Sequence, residues 1–144
     1  MASQTDNYYT KGDQYDGFVH TFNAEAAISK NQLVELGTAY PQVVKHTVNA
    51  DRIVLGVALS DATAGQEIPV MCTGPVKNVI AGEGFIVRGE LVFPDGTTAG
   101  SCDSIAAANG STLRAVIGVA LESGDTKGEK VPVLCGWPGI VLNA

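Results

Sequence analysis

The chain has 144 residues, a formal net charge of −6, 45% hydrophobic residues and 17% charged residues. This length is typical of one domain with a core of its own, or of two small fused units. Because no cluster of Lys or Arg occurs in the sequence, binding to nucleic acid through phosphate neutralisation is disfavoured. No apolar run reaches the length that spans a membrane, and the N-terminus lacks the pattern of a secretory signal.

The first predicted element is a flexible N-terminal arm, residues 1–17. This segment is polar and almost without aliphatic side chains, so burial cannot offset the entropy lost on ordering it. It nevertheless carries Tyr8, Tyr9 and Tyr15, three of the four tyrosines in the chain. Tyrosine provides a large contact area at a small entropic cost. We predict that the arm orders on a partner; a solvated tail, or one folded back on its own subunit, is the alternative.

From Phe18 onward, the sequence predicts many short β-strands, because runs rich in Val and Ile alternate with turn signals. The predicted strands are 18–22, 32–36, 42–48, 53–59, 67–73, 76–80, 85–87, 90–93, 113–121, 130–135 and 139–142. The turn signals are Ala64-Gly65, Gly74-Pro75, Pro94-Asp95-Gly96, Asn109-Gly110, Lys127-Gly128 and Pro138-Gly139. We expect an all-β domain over residues 18–144, a small sandwich or barrel (β-tulip-like).

Two of the predicted strands contain a segment, residues 54–59 or 116–121, that is apolar along its whole length. Such strands are buried on both faces, so we expect them to be central. Each has a glycine at its middle, Gly56 or Gly118, which indicates a bulge or the close approach of a neighbouring backbone. Little helix is expected, and its best candidate is Ser104–Asn109; a turn is predicted at Asn49–Asp51.

The second half of the chain repeats the first. Gly56–Leu59 recurs as Gly118–Leu121 at an offset of 62, and Cys72 recurs as Cys135 at an offset of 63. A repeat of this kind indicates one supersecondary unit used twice, so we predict pseudo-repeats at about 22–80 and 81–144. The repeated residues are glycines, prolines and aliphatics, which build folds, whereas the polar residues that an enzyme needs do not follow the repeat.

The three cysteines, Cys72, Cys102 and Cys135, are an odd number, which argues against a full disulfide framework. Cys72 and Cys135 occupy equivalent repeat positions, and we interpret them as buried thiols that behave as small hydrophobes. A bridge between these two is the alternative. No Cys-x-x-Cys spacing or nearby histidine indicates a zinc site.

Other candidates for chemistry are few. His20 and His46 lie in different predicted strands, where structural or surface roles are expected, although a Cys72–His46 dyad is the enzyme alternative. The carboxylates cluster at turn signals, where Asp caps turns. Trp137, the only tryptophan, is placed to cover the end of a core or to anchor an interface.

Two long segments, IVLGVALSDATAGQEIPVMCTGPV and AVIGVALESGDTKGEKVPVLCGWPGI, resemble the repeated signature of tailed-phage capsid decoration proteins, also called cement or head-stabilising proteins. That signature has an Ile-Gly-Val-Ala-Leu strand, an Ala-Gly-Glu turn and a Val-x-Val strand. Ala64–Gln66 and Lys127–Glu129 are similar to the turn, and the likeness covers roughly residues 22–144. It implies an all-β homotrimer that binds the major capsid protein outside the expanded head, and it brings no catalytic residues.

We therefore expect a structural virion protein that assembles in the host cytoplasm, binds the outer capsid surface and stabilises the head against internal DNA pressure. The expected capsid contacts are Tyr8, Tyr9, Tyr15 and Phe18, with Trp137 as an interface candidate. We expect no enzyme activity, cofactor or metal, and no nucleic acid or membrane partner. The alternative function is a carbohydrate-binding or other β interaction module on a virion or cell surface, with Trp137 and the tyrosines as stacking platforms.

Overall fold

A computed structural model describes residues 17–47, 52–104 and 112–143, with the side chains at 112–114 and 137–143 left aside. Residues 1–16 of the predicted arm, the predicted turn at Asn49–Asp51 and residues 105–109 of the predicted helix lie outside this range. The described residues form nine strands and no helix. The prediction of a small all-β barrel or sandwich is therefore confirmed. The strands are β1 (Phe18–Ala24), β2 (Leu33–Leu36), β3 (Gln42–Lys45), β4 (Gly56–Ala58), β5 (Glu67–Ile80), β6 (Leu91–Pro94), β7 (Cys102–Ser104), β8 (Thr112–Ala120) and β9 (Lys130–Asn143).

The first five strands close into a barrel. Their order is β1-β3-β2-β4-β5, and β1 also pairs with the first half of β5, which closes the ring. All the pairings are antiparallel except that of β1 with β3, where Ala24 lies opposite Val43. Closure leaves this unit without a free sheet edge.

The second half of β5 enters a second group of strands, in the order β5-β9-β8-β6-β7. A parallel bridge joins Ala81, which directly follows β5, to Cys102 in β7, as Ala24 faces Val43 in the first barrel. Pairs in the two groups also correspond at offsets of 58, 62 and 63. Examples are Leu33 with Val57 and Leu91 with Val119, and Ala58 with Val70 and Ala120 with Val133. The second half of β5 thus holds the place that β1 holds in the first barrel.

The two central glycines are close-approach positions, as predicted. A Cβ atom on Gly56 would clash with the carbonyl oxygen of Met71, and one on Gly118 would clash with that of Leu134. A register shift between Val116 and Gly118 in the β8–β9 pair marks a bulge at the second site. Neither position has room for a side chain.

Two predicted turns are wrong, because β5 and β9 each continue through a Gly-Pro or Pro-Gly pair. β5 runs through Gly74 and Pro75, and β9 runs through Pro138 and Gly139. Gly74 has a φ of 133°, which glycine reaches without strain, so β5 continues through this position. At Gly74 the partners of β5 change from β1 and β4 to β9.

Two further predictions of local structure are also corrected. The segment 85–87 is not a strand, since only an isolated bridge joins Ile86 to Gly124. Ser104, the expected helix cap, lies in β7, where its hydroxyl donates to the carbonyl oxygen of Phe85 at 2.9 Å.

Apolar side chains form two buried clusters. One fills the first barrel and includes Phe22, Val43 and Ile68. The other includes Leu33 and Val57 from the first barrel together with residues of the second group, from Val76 to Cys135. Because the second cluster draws on both halves, a continuous apolar core joins them.

Candidate functional site

An aromatic face lies on β1, the strand that follows the predicted N-terminal arm. Phe18, His20 and Phe22 alternate along the strand, so they lie on one side of it. The ring centroids of Phe18 and His20 are 6.2 Å apart, and those of His20 and Phe22 are 4.6 Å apart. Phe22 is buried in the first barrel, whereas the side chain of Phe18 is 60% exposed. The predicted contact residue Phe18 is therefore a surface aromatic side chain that stacks on the ring of His20.

Gly17, which precedes β1, lies close against the barrel. A Cβ atom on Gly17 would clash with the carbonyl oxygen of Thr73 in β5, and Phe18 lies opposite Thr73 in the β1–β5 register. This close contact fixes Gly17, the last residue of the predicted arm, beside β5.

The other predicted contacts stay predictions. Tyr8, Tyr9 and Tyr15 lie outside the described residues. Trp137 belongs to β9, although its side chain is outside the description.

A second exposed apolar group lies on the first barrel, and the sequence did not single it out. Leu36 and Ile53, which are 49% and 42% exposed, line a shallow groove of about 350 Å³ with Leu55 and Arg52. Leu36 ends β2 and Ile53 leads into β4, so residues far apart in the chain meet at this groove. Only the β2–β4 pairing reveals that proximity.

A buried carboxylate organises the same region. The carboxylate of Glu35 accepts a hydrogen bond from the Thr47 N–H at 2.7 Å. It also forms an ion pair with Arg52, with 2.5 Å between Oε2 and Nε. Burial by itself would raise the pKa of Glu35, but these hydrogen bonds to Thr47 and Arg52 hold the pKa below its ordinary value. The guanidinium of Arg52 also donates to the Leu36 carbonyl at 3.2 Å. Glu35 therefore fixes Arg52 beside the apolar groove.

A third exposed apolar group lies in the second half of the molecule. Phe85 is 62% exposed and Val87 is 37% exposed, on either side of the buried Ile86. They line an open groove of about 370 Å³, here called the Phe85 groove, whose other lining residues are Ser123, Gly124, Asp125 and Glu129. Exposed large apolar side chains that cluster in this way are typical of interaction surfaces.

The thiols lack the properties of nucleophiles. All three cysteines are free; Cys102 and Cys135 are buried, and Cys72 is half-buried. Burial raises the pKa of Cys72, and it raises the pKa of Cys135 to about 12. Burial also raises the pKa of Cys102. A thiol with a raised pKa stays protonated near neutral pH, and the protonated thiol is a poor nucleophile.

The Cys72–His46 dyad is likewise not formed. His46 is fully buried, and its Nε2–H donates to the carbonyl oxygen of Arg52 at 3.0 Å. The Cys72 thiol contacts the carbonyl oxygen of Val70 at 3.7 Å and accepts from the backbone N–H of His20. Each side chain is thus engaged with a different part of the first barrel.

Neither a metal-binding cluster nor a membrane-spanning helix occurs among the described residues. Within residues 17–47, 52–104 and 112–143, no three His, Cys, Asp or Glu side chains gather as a metal site would require. In the same ranges, no helix has the length and apolar character needed to cross a bilayer.

Comparison with family models matches residues 13–135 to the phage cement protein family. The chain belongs to this family. The resemblance to decoration proteins is therefore confirmed, and it places this cement protein among the structural components of the phage virion. The family also points to a protein without enzyme activity.

Comparison with curated proteins finds no match to this cement protein. Among solved structures, the chain is similar to the crystal structure of head fiber gp8.5 N base in bacteriophage phi29. The TM-score is 0.58 at 19% identity, over 83% of this chain and 93% of that chain. At this identity the likeness shows a shared all-β fold.

Proposed function

We propose that this cement protein binds the outer surface of the expanded capsid as a homotrimer and stabilises the head against the internal pressure of packaged DNA. The family match over residues 13–135 carries the proposal. The exposed apolar side chains of Phe18, of Leu36 with Ile53, and of Phe85 with Val87 support it, because a protein that works in an assembly needs such surfaces.

The mechanism is the bridging of neighbouring capsid subunits. A bridge adds contacts that must break before the shell can open. A trimer at a local threefold position presents three identical patches to three identical sites. Because the three contacts are linked in one body, their combined affinity greatly exceeds that of one contact.

The N-terminal arm extends this reach. Residues 1–17 depart beside Phe18, and Tyr8, Tyr9 and Tyr15 would order on the capsid, where the segment adds a strand to a capsid sheet. Ordering the arm costs entropy, so binding would require the complete site that only the expanded shell presents. The free protein would assemble onto heads in the host cytoplasm, with no nucleic acid or membrane as partner.

The proposal also includes a division of the chain into an arm and one β domain. The arm is a flexible segment, residues 18–144 fold as one β domain, and its halves at about 22–80 and 81–144 are pseudo-repeats. Support comes from the strand pairings that recur at offsets of 58, 62 and 63 and from the apolar core that joins the two halves.

Co-sedimentation of the purified protein with phage heads tests the function. We expect saturable binding to expanded, undecorated heads and none to unexpanded procapsids. Sedimentation velocity of the free protein checks the trimer. Binding to neither particle would refute the function and direct the search to glycans, as the carbohydrate-binding alternative requires.

A further inference from the structure

Two positions in this molecule share a backbone arrangement but differ in their side chains. In the first half, Ile28 and Ala62 exchange two backbone hydrogen bonds, both of 2.9 Å. In the second half, Ile86 and Gly124 exchange the same two bonds, at 2.8 and 2.9 Å. Both isoleucines are buried. One position therefore serves as an internal reference for the other.

The residues that flank the isoleucine differ in exposed apolar area. Ala27 and Ser29 stand beside Ile28, whereas Phe85 and Val87 stand beside Ile86. All four residues are exposed. Since the first half makes the same backbone bridge with small side chains, the fold does not need a large side chain at position 85 or 87. The exposed side chains of Phe85 and Val87 are therefore better explained by a role in binding than by a role in folding.

The rims of the two positions also differ in charge. In the first half, the side chain of Gln66 accepts a bond from the Thr63 N–H at 2.8 Å. In the second half, Glu129 stands at the place of Gln66, at an offset of 63, and its carboxylate lies over Gly124. Asp125 adds a second carboxylate to the lining. The Phe85 groove therefore combines an apolar wall with an acidic rim.

We propose that the Phe85 groove binds an extended segment of the capsid subunit that carries an apolar side chain next to an arginine or lysine. The inference rests on the proposed function and names the surface that performs it. Phe85 and Val87 would cover the apolar side chain. The carboxylates of Asp125 and Glu129 would pair with the cation, which could also lie against the Phe85 ring.

The size and charge of the groove favour this occupant. A volume of about 370 Å³ is near the lower end of the roughly 300–1,000 Å³ typical of binding pockets, which suits a few side chains of a bound segment. A net charge of −6 disfavours a second copy of this chain at an acidic rim, because like charges repel across an interface. A basic capsid segment is complementary to both the rim and the whole molecule.

Three full-length variants test the proposal in the head co-sedimentation assay. The double variant Phe85→Ala with Val87→Ser copies the side chains of the first half, and Asp125→Asn with Glu129→Gln removes only charge. The control, Ala27→Phe with Ser29→Val, places the same apolar pair at the reference position. Thermal unfolding and sedimentation velocity are measured for each variant.

We expect the Phe85 double variant to weaken head binding by about tenfold or more, the loss typical of a truncated hot spot, with unchanged unfolding temperature and oligomeric state. The charge variant should also bind more weakly and show a flatter dependence on salt. The control should bind as the wild type does.

Three results would overturn the inference. Unchanged affinity in both groove variants, while the wild type binds, would refute the groove and leave the proposed function standing. Loss of the trimer in the Phe85 variant would show that a second copy occupies the groove. Failure of the wild type to bind heads would refute the proposed function and this inference with it.

Discussion

Phe18 and Phe22 are two aromatic residues on one face of β1 that we expect to have separate roles. Phe22 is buried in the first barrel and Phe18 is 60% exposed. We predict that Phe22→Ala lowers the free energy of unfolding by about 3–5 kcal/mol. Phe18→Ala should change it by no more than about 0.5 kcal/mol but should weaken head binding. Urea denaturation and co-sedimentation measure the two effects; an equal loss of stability in both variants would contradict this division.

Glu35 makes part of the stability dependent on pH. Its folded pKa lies below the ordinary value of 4.5, so the stability that it contributes is present above that pH and is lost as the pH falls through the folded value. We predict that Glu35→Gln is less stable than the wild type at neutral pH and that the difference narrows below about pH 4. Unfolding midpoints between pH 2 and 7 measure this. A difference that does not change with pH would refute the assignment.

Some residue properties could be predicted from the sequence and others could not. The close approach at Gly56 and Gly118 followed from a glycine inside an apolar run, because no other residue type suits that place. The exposure of Leu36 and Ile53 did not follow, since both residues read as ordinary strand aliphatics. Their position depends on how β2 and β4 pair, which is a property of the assembled barrel.

At the scale of elements, β8 and β9 approach closely at Gly118, which has the least room for a Cβ atom among the described glycines. A Cβ atom there would clash with backbone, which cannot move aside as a flexible side chain can. We predict that Gly118→Ala destabilises the protein by at least the roughly 1–3 kcal/mol typical of overpacking. Thermal unfolding of the variant measures this loss.

Gly65→Ala is the matched control for that prediction. Gly65 has a φ of +86° and no atom within 4 Å of the added Cβ, so this variant carries only backbone strain of roughly 1–2 kcal/mol. A smaller loss for Gly118→Ala than for Gly65→Ala would show that the β8–β9 backbones can separate without cost.

The strand predictions succeeded where apolar periodicity was strong and failed where local signals competed with tertiary structure. β5 and β9 pass through Gly-Pro and Pro-Gly pairs that usually mark turns. β5 continues through Gly74 because it exchanges one set of partner strands for another there. β7, with the residues Cys102–Ser104, is too short and polar to appear as a strand. Hydrogen bonds from neighbouring segments define it instead.

At the scale of the whole molecule, the arm and the barrel body should be separable. We predict that deletion of residues 2–16, which keeps Gly17 against Thr73, weakens binding to expanded heads and leaves the unfolding temperature and the trimer unchanged. We expect this result because the tyrosines would contact the capsid and neither the barrel body nor the other subunits of the trimer. Unchanged head affinity in the deletion variant would refute the role of the arm.

The all-β class was predictable from the whole sequence, because turn signals and Val-rich runs recur throughout it. The candidate capsid surface was predictable only at Phe18, which adjoins a polar segment rich in tyrosine. The Phe85 groove could not be anticipated, since Phe85 and Asp125 are 40 positions apart and meet only through the bridge of Ile86 with Gly124.

The continuity of β5 has a mechanical consequence. One continuous strand runs from the first barrel into the second group of strands, without a loop between the two. If a capsid under pressure pulled on the two groups of strands, as the proposed function implies, the tension would pass along the peptide backbone of β5 into the ladders on either side. Those ladders are then loaded in shear, so many hydrogen bonds must fail together instead of unzipping one after another. A protein built in this way would resist stretching more strongly than detachment, which suits a bridge between capsid subunits that move relative to one another.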